Sequence, residues 1–138
     1  MMLKFPRFGL AVGLLPLVLA ACGDQGADEA AVDEDPQVAA GRSAFQVCSS
    51  CHVIDEERHR AGPHLVGLFG REAGGAGGFR YSAAMVDSGI VWNEESLDDF
   101  LAAPRSVVPG NRMSFAGLRD GDERAALIAF LREATAEQ

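Results

Sequence analysis

The most chemically loaded stretch of the chain is Cys48-Ser49-Ser50-Cys51-His52. C-x-x-C-H is the spacing of covalent haem attachment. Two thiols separated by two residues can add to the two vinyl groups of a haem and form thioethers. The adjacent histidine is then directed at the iron from one face. Two other readings use the same residues. A C-x-x-C can be a redox disulfide, which usually opens a helix in a fold that also contains strands. It can also hold zinc, but a structural zinc site needs four ligands. The chain has no second C-x-x-C, and its spare histidines are His59 and His64.

One histidine would leave the sixth position of an iron open. Met113, in Pro109-Gly110-Asn111-Arg112-Met113, is the candidate to fill it. Proline and glycine stiffen and then turn the chain, so such a loop can present one side chain inward. A thioether is a soft ligand that favours the ferrous state, and a His/Met pair raises the reduction potential. Met85 is the other candidate, but it falls on an expected short helix and reads as a packing residue.

These residues need elements to hold them. The periodicity places a first helix over Val38–Val47, with Phe45 inward. A loop rich in turn residues follows from Cys48 to Gly78, and its Gly74-Gly75-Ala76-Gly77-Gly78 stretch will not be helical. Ser82–Asp87 suits a short helix. Asn93 reads as an N-cap, with Glu94 and Glu95 in the first turn of a helix reaching about Ala103. Leu97, Phe100 and Leu101 share one face of it, and Pro104 ends it. Asp120 and Glu123 resemble a capping box for a last helix, Gly121–Ala134, with Leu127, Phe130, Leu131 and Ala134 as its apolar face. No strand pair with a hairpin turn is visible, so the expected class is all-α. A domain of about 100 residues with so much loop has a thin core of its own, and a haem would fill it.

The first 37 residues read differently. Residues 1–21 carry Lys4 and Arg7 and then an apolar run from Gly9 to Ala21, interrupted by Pro16. That length suits a signal peptide and is short for a membrane span. Leu19-Ala20-Ala21-Cys22 looks like a bacterial lipobox, with Cys22 as the lipidated residue. Residues 22–37 read as a lipidated cysteine and an acidic tether. From Gly23 to Gln37 there are six acids and no base. Such a segment buries too little to order itself and would span roughly 20 Å. The folded domain is then 38–138. Export to an oxidising compartment means that Cys48 and Cys51 need a partner, a metal or a covalent cofactor.

The whole chain has a formal charge of −8, and loss of Lys4 and Arg7 with the leader takes it to −10. That balance argues against nucleic acid as a partner. It also leaves membrane attachment to the lipid. Lys4 is the single lysine, so every basic residue of the remaining chain is an arginine.

Taken together, Cys48–His52, Gly62-Pro63-His64-Leu65, Gly67-Leu68-Phe69-Gly70-Arg71, Tyr81-Ser82, Gly89-Ile90-Val91-Trp92, Pro104, Pro109–Met113 and Leu127–Leu131 resemble a class I cytochrome c. The nearest type is the mitochondrial one and its bacterial relatives. The likeness covers nearly all of Gly41–Thr135. It implies three to five helices wrapped around one haem c, with the first and last helices crossing through Gly41, Phe45, Leu127 and Phe130. It implies His52 and Met113 as axial ligands, and the Pro63 carbonyl as partner of the His52 ring N–H. Arg71, Tyr81, Trp92 and Asn111 would meet the haem propionates. On the residues alone, Tyr81 and Trp92 are core aromatics whose polar atoms have found a partner. A cavity lined by Cys48, Cys51, His52, Met113, Trp92 and Phe100 is expected in the folded chain.

Three positions depart from that pattern. His64 stands where the family usually has asparagine, and is expected to be a half-exposed loop residue. Phe100 replaces a tyrosine near the methionine sulfur. The usual ring of docking lysines is missing, with Arg105 and Arg112 as a reduced version; Arg58, Arg60 and Arg80 read as solvated loop charges. The function implied is a monomeric, non-enzymatic electron carrier in the periplasm of a Gram-negative-type bacterium. Its implied partners are a haem-c donor complex and a terminal oxidase, met either as a mobile shuttle or as a fixed subunit. A haem peroxidase or gas sensor is the alternative if Met113 does not bind iron, with His64 as the available acid or base.

Overall fold

The computed structural model describes residues 34–136. The expected leader, Cys22 and most of the tether lie outside the described residues. The described chain is helical, with six segments in the order α1 (Pro36–Ala44), α2 (Gln46–Ser49), α3 (Ala83–Val86), α4 (Glu94–Ala102), α5 (Pro104–Val107) and α6 (Gly121–Ala134). No strand is present among the described residues. Glu72 and Val91 form one isolated antiparallel bridge. None of these helices is long and apolar enough to cross a membrane.

Helix α1 starts two residues earlier than the periodicity indicates. Asp35 is its N-cap, accepting the Gln37 N–H at 2.7 Å, and Pro36 takes the first helical position. There the missing N–H costs nothing and the fixed φ already suits a helix. The end of the acidic run is therefore a helix start. The expected helix through Val47 is divided at Phe45. The Phe45 N–H bonds back to Gly41, and Cys48 and Ser49 bond back to Phe45 at 2.8 and 3.1 Å. This nearly continuous pair of segments, and a single turn built on Pro104, raise the count above the three to five expected. Pro104 ends α4 and also opens α5, as N1 proline does.

Helices α3, α4 and α6 begin where their caps indicate. The Ser82 hydroxyl accepts from the Met85 N–H. Asn93 and Ser96 form a reciprocal capping box. The Asp120 carboxylate accepts the Glu123 N–H at 2.9 Å. Leu97, Phe100 and Leu101 are buried along α4, and Leu127, Phe130 and Leu131 along α6.

The principal helix contact is α1 against α6. Gly41 permits it: a Cβ there would lie 1.9 Å from the Ala126 carbonyl oxygen. One turn on, the rings of Phe45 and Phe130 meet at 5.5 Å. Helix α4 packs on α6 and is tied to it by Arg124, whose guanidinium donates to both Asp98 carboxylate oxygens at 2.8 and 3.2 Å. The long loop is fastened at its ends. Gly67 N–H donates to the Thr135 carbonyl just past α6. Gly70 and Ala73 bond to the carbonyls of Trp92 and Ile90 at 2.8 Å, and Trp92 N–H bonds to the Arg71 carbonyl at 2.9 Å. Those bonds set Arg71 beside Trp92.

Candidate functional site

A cavity of about 540 Å³ lies inside this frame. All six expected residues line it: Cys48, Cys51, His52, Trp92, Phe100 and Met113. Leucines from α4, α6 and the long loop line it too, among them Leu68, Leu97, Leu101, Leu127 and Leu131. The charged residues that line it are Arg71, Arg80 and Arg112, with no carboxylate among them.

The Cys48–His52 segment forms a helical turn. The N–H groups of Cys51 and His52 bond to the Cys48 carbonyl at 3.0 and 2.9 Å. Residues three apart in such a turn share a face, so both thiols reach the same cavity. Both are free. Burial pushes the Cys48 thiol pKa up, and the neighbouring Cys51 adds to that. His52 follows at the cavity wall. Its Nδ1 lies 2.7 Å from the Pro63 carbonyl oxygen. A carbonyl only accepts, so Nδ1 carries the proton and Nε2 keeps its lone pair. Burial lowers the His52 pKa, and the Pro63 bond opposes that shift. Gly62 makes room for the ring: a Cβ there would lie 2.5 Å from His52 Cε1. The motif Gly62-Pro63 carries both features, a bare α-carbon under the imidazole and a carbonyl at its far nitrogen.

Met113 lies opposite in sequence, in the irregular stretch between α5 and α6. Gly110 turns the chain there with a φ of 90°, in the left-handed region that glycine enters without strain. Beyond Met113, the Leu118 N–H bonds to the Leu101 carbonyl at 2.8 Å. Arg124 donates to the carbonyls of Leu118 and Arg119 at 2.9 and 3.0 Å. Arg112 reaches across to the Arg80 carbonyl at 2.7 Å and joins the methionine stretch to the 79–82 segment. No motif in the sequence flags Arg124 as a brace. Its role depends on a carboxylate 26 residues away.

Arg71, Tyr81 and Trp92 line the cavity. Arg71 is held there by donating to the carbonyls of Val66 and His64 at 2.7 and 3.0 Å. Burial raises the Tyr81 pKa. Trp92 meets Phe100 edge to face at 5.1 Å. Asn111 is placed elsewhere. It is buried, its amide bonds to backbone groups, and it is not among the residues that line the cavity. Arg80 lines it, although its sequence position reads as a solvated loop charge.

His64 also differs from expectation. It is buried, at 6 % exposure, and its Nδ1 has no hydrogen-bond partner. Its ring stacks on His59 at 5.2 Å, and its N–H donates to His59 Nδ1 at 3.3 Å. His59 Nε2–H in turn donates to the Gly77 carbonyl at 2.8 Å. This histidine pair pins the glycine-rich stretch, which a tally of turn residues could not show. His64 lines a separate cavity of about 460 Å³ together with Arg71 and Glu57.

The donor set decides between the three readings of C-x-x-C-H. Among the described residues, no group of three His, Cys, Asp or Glu side chains converges to hold a metal ion. The two thiols lie at a helix end in a fold without strands among those residues. They face a large, mostly apolar cavity, together with a histidine oriented by its Nδ1–H. That combination fits haem.

The sequence model of the family described as Cytochrome c matches residues 38–135. The chain belongs to the cytochrome c family. It is 42 % identical over 111 residues to a cytochrome c of Sesamum indicum, covering 78 % of this chain and all of that protein. It is 46 % identical over 101 residues to a cytochrome c of Chlamydomonas reinhardtii, covering 72 % of this chain and 90 % of that one. A cytochrome c2 iso-2 of Magnetospirillum fulvum is 43 % identical over 89 residues, covering 64 % of this chain and 93 % of its own length. As a cytochrome c, the protein is an electron carrier rather than an enzyme. It carries haem c covalently, and Cys48 and Cys51 stand in the attachment spacing.

Proposed function

We propose that this cytochrome c is a periplasmic, lipid-anchored carrier with one haem c ligated by His52 and Met113. It passes electrons between a membrane-bound haem-c donor complex and a terminal oxidase. The observation that carries the ligand assignment is that Cys48, Cys51, His52 and Met113 line one cavity, with Pro63 fixing the His52 tautomer. When bound, haem supplies a one-electron ferric–ferrous couple, which a His/Met ligand pair sets at a high potential.

The chain's residues have the following tasks. Cys48 and Cys51 bond the cofactor, so it is not lost in a dilute compartment. Pro63 holds the imidazole and raises its basicity. Phe100, Trp92 and the leucines exclude water, so charge is not stabilised by mobile solvent. Arg71, with Tyr81 and Trp92 beside it, supplies donors for the propionates. Arg80 and Arg112 mark a basic patch at the cavity in a chain that is otherwise acidic. A weak, brief complex through that patch suits electron traffic. The lipid on Cys22 and the acidic segment after it keep the domain beside membrane-bound partners, where effective concentration is high.

The catalytic alternative is disfavoured by the cavity wall. A peroxidase needs an acid and a base at the open side of the iron. Among the described residues, no Asp or Glu and no histidine except His52 lines the cavity, and His64 lines a different one. The test is the visible and near-infrared spectrum of protein co-expressed with a haem-attachment system. A c-type ferrous spectrum with the weak sulfur-to-iron band in the ferric form is expected. Covalent haem without that band would refute the Met113 assignment.

A further inference from the structure

We infer that Asn111 is the positioning residue of Met113, acting on the thioether through the backbone rather than on the cofactor. The inference rests on the His52/Met113 ligation proposed above. Asn111 is buried, at 9 % exposure. Its Nδ2 donates to the Pro104 and Val108 carbonyls, each at 2.8 Å, and its Oδ1 accepts the Met113 N–H at 3.0 Å. Its own N–H donates to the Val108 carbonyl at 3.1 Å.

A side-chain amide has two N–H donors and one carbonyl oxygen. Both donors are used, so none is left for a haem carboxylate. The oxygen holds Met113 in an Asx turn, which fixes the direction in which the next side chain leaves. The Pro104 bond ties this turn to the first residue of α5, which follows directly on α4 with its Phe100 and Leu101. Met113 is therefore referenced to α5, the segment that adjoins the helix carrying part of the apolar wall. Among the described residues, the stretch from Met113 to Gly117 makes no backbone–backbone hydrogen bond to compensate for losing that reference. The second brace, Arg124 on Asp98, holds the stretch five residues further on.

The experiment compares carbon monoxide binding by the ferrous holoprotein and the ferric sulfur-to-iron band in wild type, Asn111→Ala, Asn111→Ser and Arg124→Gln. Asn111→Ala removes three buried hydrogen bonds and is expected to weaken the band and raise the carbon monoxide association rate at least about tenfold. Serine can close the same turn with one hydroxyl, more weakly, and should fall between the two. It also serves if the alanine variant does not fold. Arg124→Gln loosens the far end of the same stretch, and should lower the denaturation midpoint while raising the carbon monoxide rate less than Asn111→Ala does.

An unchanged band and rate in Asn111→Ala would overturn the inference. So would an Arg124→Gln protein that binds carbon monoxide as fast as Asn111→Ala, because loop loosening alone would then account for the effect. A wild type lacking the sulfur band would overturn the ligand assignment itself, an outcome distinct from the other two.

Discussion

Alanine in place of Gly41 would place its methyl carbon 1.9 Å from the Ala126 carbonyl oxygen and 2.7 Å from the Phe130 Cβ. The oxygen belongs to the backbone of α6 and cannot swing aside as a side chain would. The two helices must therefore separate by about 1 Å at their crossing before any packed distance is restored. A gap of that size forfeits a quarter to a half of each dispersion contact it opens, and here it opens the Phe45–Phe130 contact and the packing of Val38 and Leu127. Overpacking typically costs about 1–3 kcal/mol, and more when backbone must move. Alanine's better helix propensity returns at most about 1 kcal/mol. The expected net loss is about 2–4 kcal/mol, a large part of the roughly 5–15 kcal/mol that holds a domain together.

Guanidinium unfolding of the holoprotein measures this loss, with Ser43→Ala as an exposed control on the same helix. In a domain of this size the loss corresponds to a melting temperature lower by about 10–20 °C. The functional consequence follows from position: α1 runs through Phe45 into the turn that carries Cys48, so its displacement should also reduce the yield of attached haem. A Gly41→Ala protein within about 0.5 kcal/mol of wild type would refute the close-crossing argument.

Met113→Ala should keep its haem and bind carbon monoxide or cyanide readily, and a wild type that binds either ligand equally fast would defeat the axial assignment. His64→Asn should flatten the stability–pH profile. Burial, with Arg71 and His59 nearby, holds the His64 pKa below its ordinary value against the opposing pull of Glu57. The unfolded chain therefore takes up a proton near pH 6.5 that the folded chain still refuses, and this contribution to stability is lost as pH falls below that value. Denaturant midpoints at about pH 7 and pH 5 should diverge less in the variant than in wild type, and equal divergence would show that His64 does not titrate in that range. Cys22→Ala should move the protein from the membrane to the soluble fraction and abolish labelling by a fatty acid; a variant still extracted only by detergent would refute the lipid anchor.

What could be read from the sequence divides along physical lines. Local rules placed α4 and α6 well, because Asn93 and Asp120 are strong caps and each helix has a clear apolar face. The attachment segment was also legible, since its chemistry is carried by residue type and spacing, and Met113 lines the cavity into which its loop is expected to present it. Three features were not. Asp35-Pro36 is a helix start, but it closes an acidic run whose composition resembles a tether. Pro104 was visible as a stop, while the turn that it opens depends on its N1 position. The burial of His64 and the backbone bonds of Asn111 are not legible in the sequence because their surroundings come from tertiary contacts. His59 is joined to His64 by stacking and one long hydrogen bond, and Asn111 is enclosed by carbonyls of Pro104 and Val108.

Nine of the fourteen buried residues of the apolar core also line the large cavity: Phe45, Leu68, Met85, Trp92, Leu97, Phe100, Leu101, Leu127 and Leu131. These side chains pack toward a common space rather than only against one another. With nothing in the cavity of about 540 Å³, those nine side chains would lose the contacts they make across it. The haem is therefore as much a part of the core as Leu127 or Phe130. This explains why the apolar pattern defines the helices but not their packing partners. It also gives the covalent bonds at Cys48 and Cys51 a second purpose: they keep the core filled.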